Sequence, residues 1–269
     1  MTRPAQVMVL VALAAVVLVP VATLHALQLH VTETHAHRPH GTLPDAHMLL
    51  LASLFVASLA PLFGLLLAVV RWARGMRSLR RLAAASEEAS FNGHPYRRVH
   101  GAAPALFTAG IRRSAIYASA PAEAWLSPGA FAAALHHEAA HQQHRDVAWK
   151  FLIHLARGAF GWIPGVSRAL DRQLLRMECR ADDDALAAGA SRKDLFDAIA
   201  LVARGGERPS VSLAGEGVLF RLERLARGGS PMPRQLTGRI GGAMVAVLAL
   251  PVAAHLLLVA ICDVHLIRI

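Results

Sequence analysis

A chain of 269 residues that is 55% hydrophobic and only 17% charged is too apolar to be a disordered polyelectrolyte. Two cysteines exclude a disulfide-stapled scaffold. The formal charge of +10 leaves anionic membranes and nucleic acids as partner classes, and no nucleic-acid motif accompanies it, so direct nucleic-acid binding is not expected.

The apolar residues collect in three blocks, 7–27, 48–70 and 240–261, each about 21–23 residues long. A helix rising ~1.5 Å per residue crosses a ~30 Å hydrocarbon layer at that length, so three transmembrane helices are predicted. The first block has a rival reading as a secretory signal, with Arg3 as its basic start, but Leu24-His25-Ala26 makes a poor cleavage site. After the second block comes RWARGMRSLRR, carrying Arg71, Arg74, Arg77, Arg80 and Arg81, whereas the loop between the first two blocks has Arg38 alone. The positive-inside rule then puts residues 71–239 in the cytoplasm and anchors them to membrane lipids. That topology separates Cys179 from Cys262 across the bilayer, so they are not expected to pair.

Between the first two blocks, residues 30–47 form a predicted outer loop with His30, His35, His37, His40 and His47. It reads as a polar headgroup loop, or as a weak metal-sensing one; no spacing there fixes a coordination geometry. Residues 83–96 read as a polar connection or a short helix ending at NGHP. Two strand candidates follow, 105–110 and 114–119, turning at Gly110 and the Arg112-Arg113 pair. Their sheet either supports the core or offers an edge to an extended peptide. The stretch LSPGAFAAALHHEAAHQQHRD then predicts a helix, with Ser127 as N-cap and Pro128 in the first turn. Residues 149–165 are apolar but interrupted by Lys150, His154 and Arg157, which predicts a buried or interfacial helix ended by Pro164. Further helices are predicted at 167–190, after a Ser191 cap, and at 218–228, with a loop over 204–216. The organisation expected is therefore 1–82 as two spans with a basic anchor, 83–236 as a cytosolic domain, and 237–269 as a third span with a short outer tail.

The helix from Pro128 holds His137-Glu138-Ala139-Ala140-His141. Two histidines four apart share a helix face, so both imidazoles can reach one metal ion. Glu138 lies one step round, placed to act on water rather than to ligate. Zinc takes three protein ligands in a catalytic site and keeps one position open. Glu178, on a later predicted helix, is the candidate third ligand. Asp182, one turn on, is a candidate to orient a ligand histidine. His144 is weighed as a substrate-side group against an ordinary surface histidine. His136 and Cys179 read as packed residues, and Asp183 and Asp184 as surface charges.

The ordered set His137, Glu138, His141, Arg145, Asp146, Trp162, Pro164, Glu178 and Asp182 resembles the peptidase M56 family of membrane zinc metallopeptidases. LFTAGIRRSAIYAS resembles the stretch that precedes that family's zinc helix. The resemblance covers roughly residues 70–230 and the flanking spans. It implies a mainly helical multi-pass membrane protein whose cytosolic domain is zincin-like, of the gluzincin type, with a small β-sheet. It implies that His137, His141 and Glu178 bind Zn2+ and that Glu138 is the catalytic acid/base. It implies hydrolysis of a peptide or protein substrate at the cytosolic face, in particular a DNA-binding repressor. The best-known members carry an extracellular sensor after the last span; here the sequence runs to Ile269, and no such domain is expected. Two alternatives stand beside this reading: a quality-control protease like the M48 family, and a non-catalytic membrane receptor or metal sensor.

Overall fold

The structure, a computed structural model, describes residues 3–37, 46–111, 113–163, 165–205 and 213–228. The third predicted span, Cys262, Arg112, Pro164 and the middle of the outer loop lie outside the described residues. The described chain is mostly helical with one small sheet, and it divides into two compact units.

The first unit holds α1 (Arg3–His37), α2 (Ala46–Ala84) as far as Val70, and residues 154–169. Both helices contain segments long and apolar enough to cross a membrane. Along α1 a stripe of Val9, Ala12, Val16, Val19, Thr23 and Ala26 is buried, at the three-and-four spacing of one helix face. Leu18 and Val21 on the other side are exposed, as are Val56, Phe63 and Leu66 on α2. Such apolar faces suit lipid. One sequence expectation changes here. Residues 30–37 are helix rather than loop, because no proline or glycine lies between His30 and Pro39. The basic stretch after residue 70 continues α2 as helix.

The predicted 149–165 helix is α5 (Asp146–Phe160). Within the first unit its end meets α2 through two glycines. A Cβ placed on Gly64 would lie 2.1 Å from the Gly158 carbonyl oxygen, and one on Gly158 would lie 2.6 Å from the Ala68 Cβ. Only hydrogen side chains allow that backbone approach.

The second unit contains the described residues of 71–153 and 170–228. Its sheet has the order β1-β2-β4-β3, from β1 (Glu87–Phe91), β2 (His94–Val99), β3 (Leu106–Ala109) and β4 (Ala115–Ser119). β1 and β2 replace the connection expected at 83–96. Asn92 and Gly93 both take positive φ, the turn that Asn-Gly favours in a two-residue hairpin. β3 and β4 fall where the sequence predicted strands, antiparallel, with β4 running parallel to β2.

Ser119 caps α3 (Ala120–Trp125), and Ser127 caps α4 (Pro128–Gln143) by accepting from the Ala130 N–H at 3.2 Å. α4 is buried on nearly every side. Phe131, Ala134 and Leu135 pack with Tyr96, Leu106 and Ile116 of the sheet. Ala133 packs instead with Ala185 of α6 (Val166–Ala187), Leu195 of α7 (Arg192–Gly205) and Leu225 of α8 (Leu213–Ala226). The alanine run thus lets neighbours close around α4 and immobilises the histidines it carries.

Candidate metal centre

Gln143 ends α4 three residues earlier than the sequence pattern suggested. His144 caps it, Arg145 turns the chain with φ 54°, and Asp146 opens α5. This reversal returns Asp146 to the helix it has just left. Its Oδ2 lies 2.7 Å from Nδ1 of His141. Asp146 is fully buried and is held by the Arg180 guanidinium from α6.

His137 has a parallel arrangement. Asp182 Oδ1 is 3.0 Å from its Nδ1, an ion-pair contact rather than an aligned hydrogen bond, since that nitrogen has no hydrogen-bond partner among the described residues. Asp182 is itself held by Arg221 of α8, whose Nε and Nη2 donate to its two oxygens at 2.9 and 2.7 Å. Each imidazole therefore has a carboxylate behind it, and each carboxylate has an arginine. At His141 the hydrogen bond fixes the ring orientation and the tautomer and strengthens the opposite nitrogen as a ligand, and at His137 the Asp182 carboxylate sets negative charge behind the ring.

With the Nδ1 atoms so engaged, the Nε2 atoms face Glu178. Glu178 Oε2 is 3.5 Å from His137 Nε2, and Oε1 is 3.4 Å from His141 Nε2. One ligand atom from each of the three residues lies within 4.8 Å of the others. Donors on a tetrahedral ion with bonds of about 2.0–2.1 Å stand roughly 3.4 Å apart. The buried His-His-Glu cluster therefore fits a metal ion in both spacing and donor chemistry. Lys150 donates to Glu178 Oε1 at 2.7 Å, and Arg221 donates to Oε2 at 2.9 Å.

The electrostatics follow from this packing. Burial opposes charge on His137, yet Asp182 and Glu178 outweigh it and raise the imidazole to about 9. Burial likewise opposes charge on His141, and Asp146 and Glu178 raise it. Burial also disfavours the Glu178 anion, but both histidines, Lys150 and Arg221 hold its carboxyl well below the usual range. A centre that stabilises charge of both signs in a buried place holds its ligands pre-aligned.

The residues singled out from sequence separate into two groups. His137, Glu138, His141 and Glu178 line one cavity of about 310 Å³, with Asp182 behind it. Thr108 of β3 lines it too and donates its hydroxyl to the Glu138 carbonyl at 3.0 Å, tying the edge strand to the helix. His144 is not in the cavity; it pairs with Asp184 at 2.9 Å on the surface. His136 stacks edge-on with His94, ring centroids 4.5 Å apart. Cys179 is fully buried, and burial pushes its thiol up to about 11. Sequence reasoning assigned no role to Asp146, Lys150, Arg180 or Arg221. Only Asp146 carried a signal, as an acid five residues after a ligand histidine and just past a helix end. The chain matches no family model, no curated protein and no solved structure, so the chemistry of this cavity carries the functional argument.

Proposed function

We propose that this chain is a membrane zinc metallopeptidase of the M56 type that hydrolyses peptide bonds at the cytosolic face. The observation that carries the reading is the convergence of His137, His141 and Glu178 in a cavity that also holds Glu138. His137, His141 and Glu178 would hold the ion. Bound zinc would supply Lewis acidity, polarising a peptide carbonyl and lowering the pKa of a water molecule to about 7. Glu138 accepts the proton of the attacking water and delivers it to the leaving amine. Asp146 keeps His141 in the ligating tautomer, and Asp182 sets its charge behind His137.

The sheet supports a substrate role as well. β3 is an edge strand, and its Leu106, Phe107 and Thr108 border the cavity. An extended peptide added to that edge, which pairs with no further strand among the described residues, would run past Glu138. The finer reading comprises a gluzincin domain, three spans, residues 71–239 in the cytosol, and a repressor or similar regulator as substrate. It rests on the sequence pattern, together with two helices fit to cross a membrane. The experiment is cell proteomics with the wild-type chain against Glu138→Gln. A cytosolic regulator that is cut only by the wild type is expected, while the purified variant keeps its metal. Equal cleavage by the variant contradicts the assignment.

A further inference from the structure

Resting on the metal-site reading above, we propose that Arg221 is a positioning residue: α8 uses it to set the geometry of two of the three ligands, so metal affinity depends on α8. Glu178 and Asp182 lie four apart on α6 and present their carboxylates side by side. One planar guanidinium bridges both, with Nε and Nη2 on Asp182 and Nη1 on Glu178 Oε2 at 2.9 Å. A fork of fixed donors can do this; a single ammonium cannot. The same group acts on His137 through Asp182 and by its own Nη2, 3.5 Å from Nε2 of that histidine, and it holds the third ligand, Glu178, directly.

The other half of the centre differs. Asp146 is locked by Arg180, which belongs to the ligand helix α6 itself. Arg221 comes from α8, 43 residues beyond Glu178. α8 fastens to α6 a second time, since Arg224 donates to both oxygens of Asp183 at 2.7 and 2.8 Å. Arg221 and Arg224 are both buried to about nine-tenths. The two pairs divide the labour. Arg224–Asp183 holds the helices together away from the ligands, and Arg221 reaches into the centre.

Zinc affinity measured by chelator competition tests this on the full chain in detergent, with the visible spectrum of the cobalt(II)-substituted protein as a second readout. Arg221→Ala should bind zinc roughly 10–100-fold more weakly, the usual effect of losing a group behind a ligand. Its cobalt spectrum should also depart from wild type. Arg221→Lys should fall between the two, and it carries the test if Arg221→Ala does not fold. Arg224→Ala should stay within about threefold of wild type, because the carboxylate it is seen to hold is Asp183, which is not one of the proposed ligands. Zinc binding by Arg221→Ala that is unchanged or tighter overturns the proposal. So does an equal loss in Arg224→Ala, which would assign the effect to helix docking alone. A wild-type chain that takes up neither metal sinks the metal-site reading itself, whereas a wild type that binds beside an unaffected Arg221→Ala sinks only the role of Arg221.

Discussion

One imidazole nitrogen of His141 faces Glu178 while the other meets a carboxylate only five residues away in sequence. The His137/His141 pair was legible from its spacing, because four residues on a helix always share a face. Glu178 and Asp182 were legible for the same reason once a second helix was recognised. Asp146 was not, because its place depends on a left-handed turn at Arg145, which no periodicity announces. Replacing Asp146 by Ala should weaken zinc binding about 10–100-fold and leave the half-buried Arg180 guanidinium without this carboxylate. Unchanged metal affinity in that variant would remove Asp146 from the centre. Cys179 provides a control of the opposite kind. Beside Glu178 in sequence, it is buried with its thiol pushed up to about 11, so the folded protein should resist alkylation at neutral pH until denaturant is added. Rapid labelling of the native chain would show that the packing around it is wrong.

Helices were read more successfully than strands. Ser127-Pro128 and Ser191 are local signals, and α4 and α7 begin where those caps place them. The β1–β2 hairpin was missed because Glu87, Glu88, His94, Arg97 and Arg98 interrupt its apolar residues, so no regular alternation marks it; Asn92-Gly93 was the one available cue. The sheet is pinned to α3 by Glu123, which accepts from Arg98 at 2.7 Å and from the Tyr96 hydroxyl at 2.8 Å. The Arg98 guanidinium holds the Glu123 carboxyl below its usual value of 4.5. A depressed folded pKa contributes stability that is present above the unfolded value and lost as pH falls through the folded one. Thermal stability should therefore decline below about pH 4.5 through this group, and Glu123→Gln should flatten that part of the acid limb. An acid limb identical to wild type would rule the clamp out. At the α2–α5 crossing, Gly158→Leu must push the two helices apart. Its cost should be about 1–3 kcal/mol, seen as a lower unfolding temperature in detergent. An unshifted transition would mean that the glycine contact does not hold these helices.

At the scale of the whole molecule, hydropathy marked two helices among the described residues that are long and apolar enough to cross a membrane, but not how far they extend. α2 continues through Arg71, Arg74, Arg77 and Arg80, because arginine is a good helix former and a charge pattern marks the membrane boundary rather than a helix end. The division into two units was not legible either. It cuts α5 after Ile153 and α6 before Leu170, so the boundary falls inside helices that read as single elements in sequence. The arginines that complete the centre escaped notice for a related reason. A salt bridge between residues 43 apart is a property of the packed molecule and leaves no periodicity in the chain.

The central claim is that His137, His141 and Glu178 share one divalent ion. X-ray absorption at the zinc edge, on the purified full chain, tests it most directly. The account predicts one zinc per chain, about four nitrogen and oxygen neighbours at about 2.0–2.1 Å with no sulfur, and loss of that shell in Glu178→Ala. A sulfur neighbour, an unchanged spectrum in Glu178→Ala, or a chain that binds no zinc would contradict it.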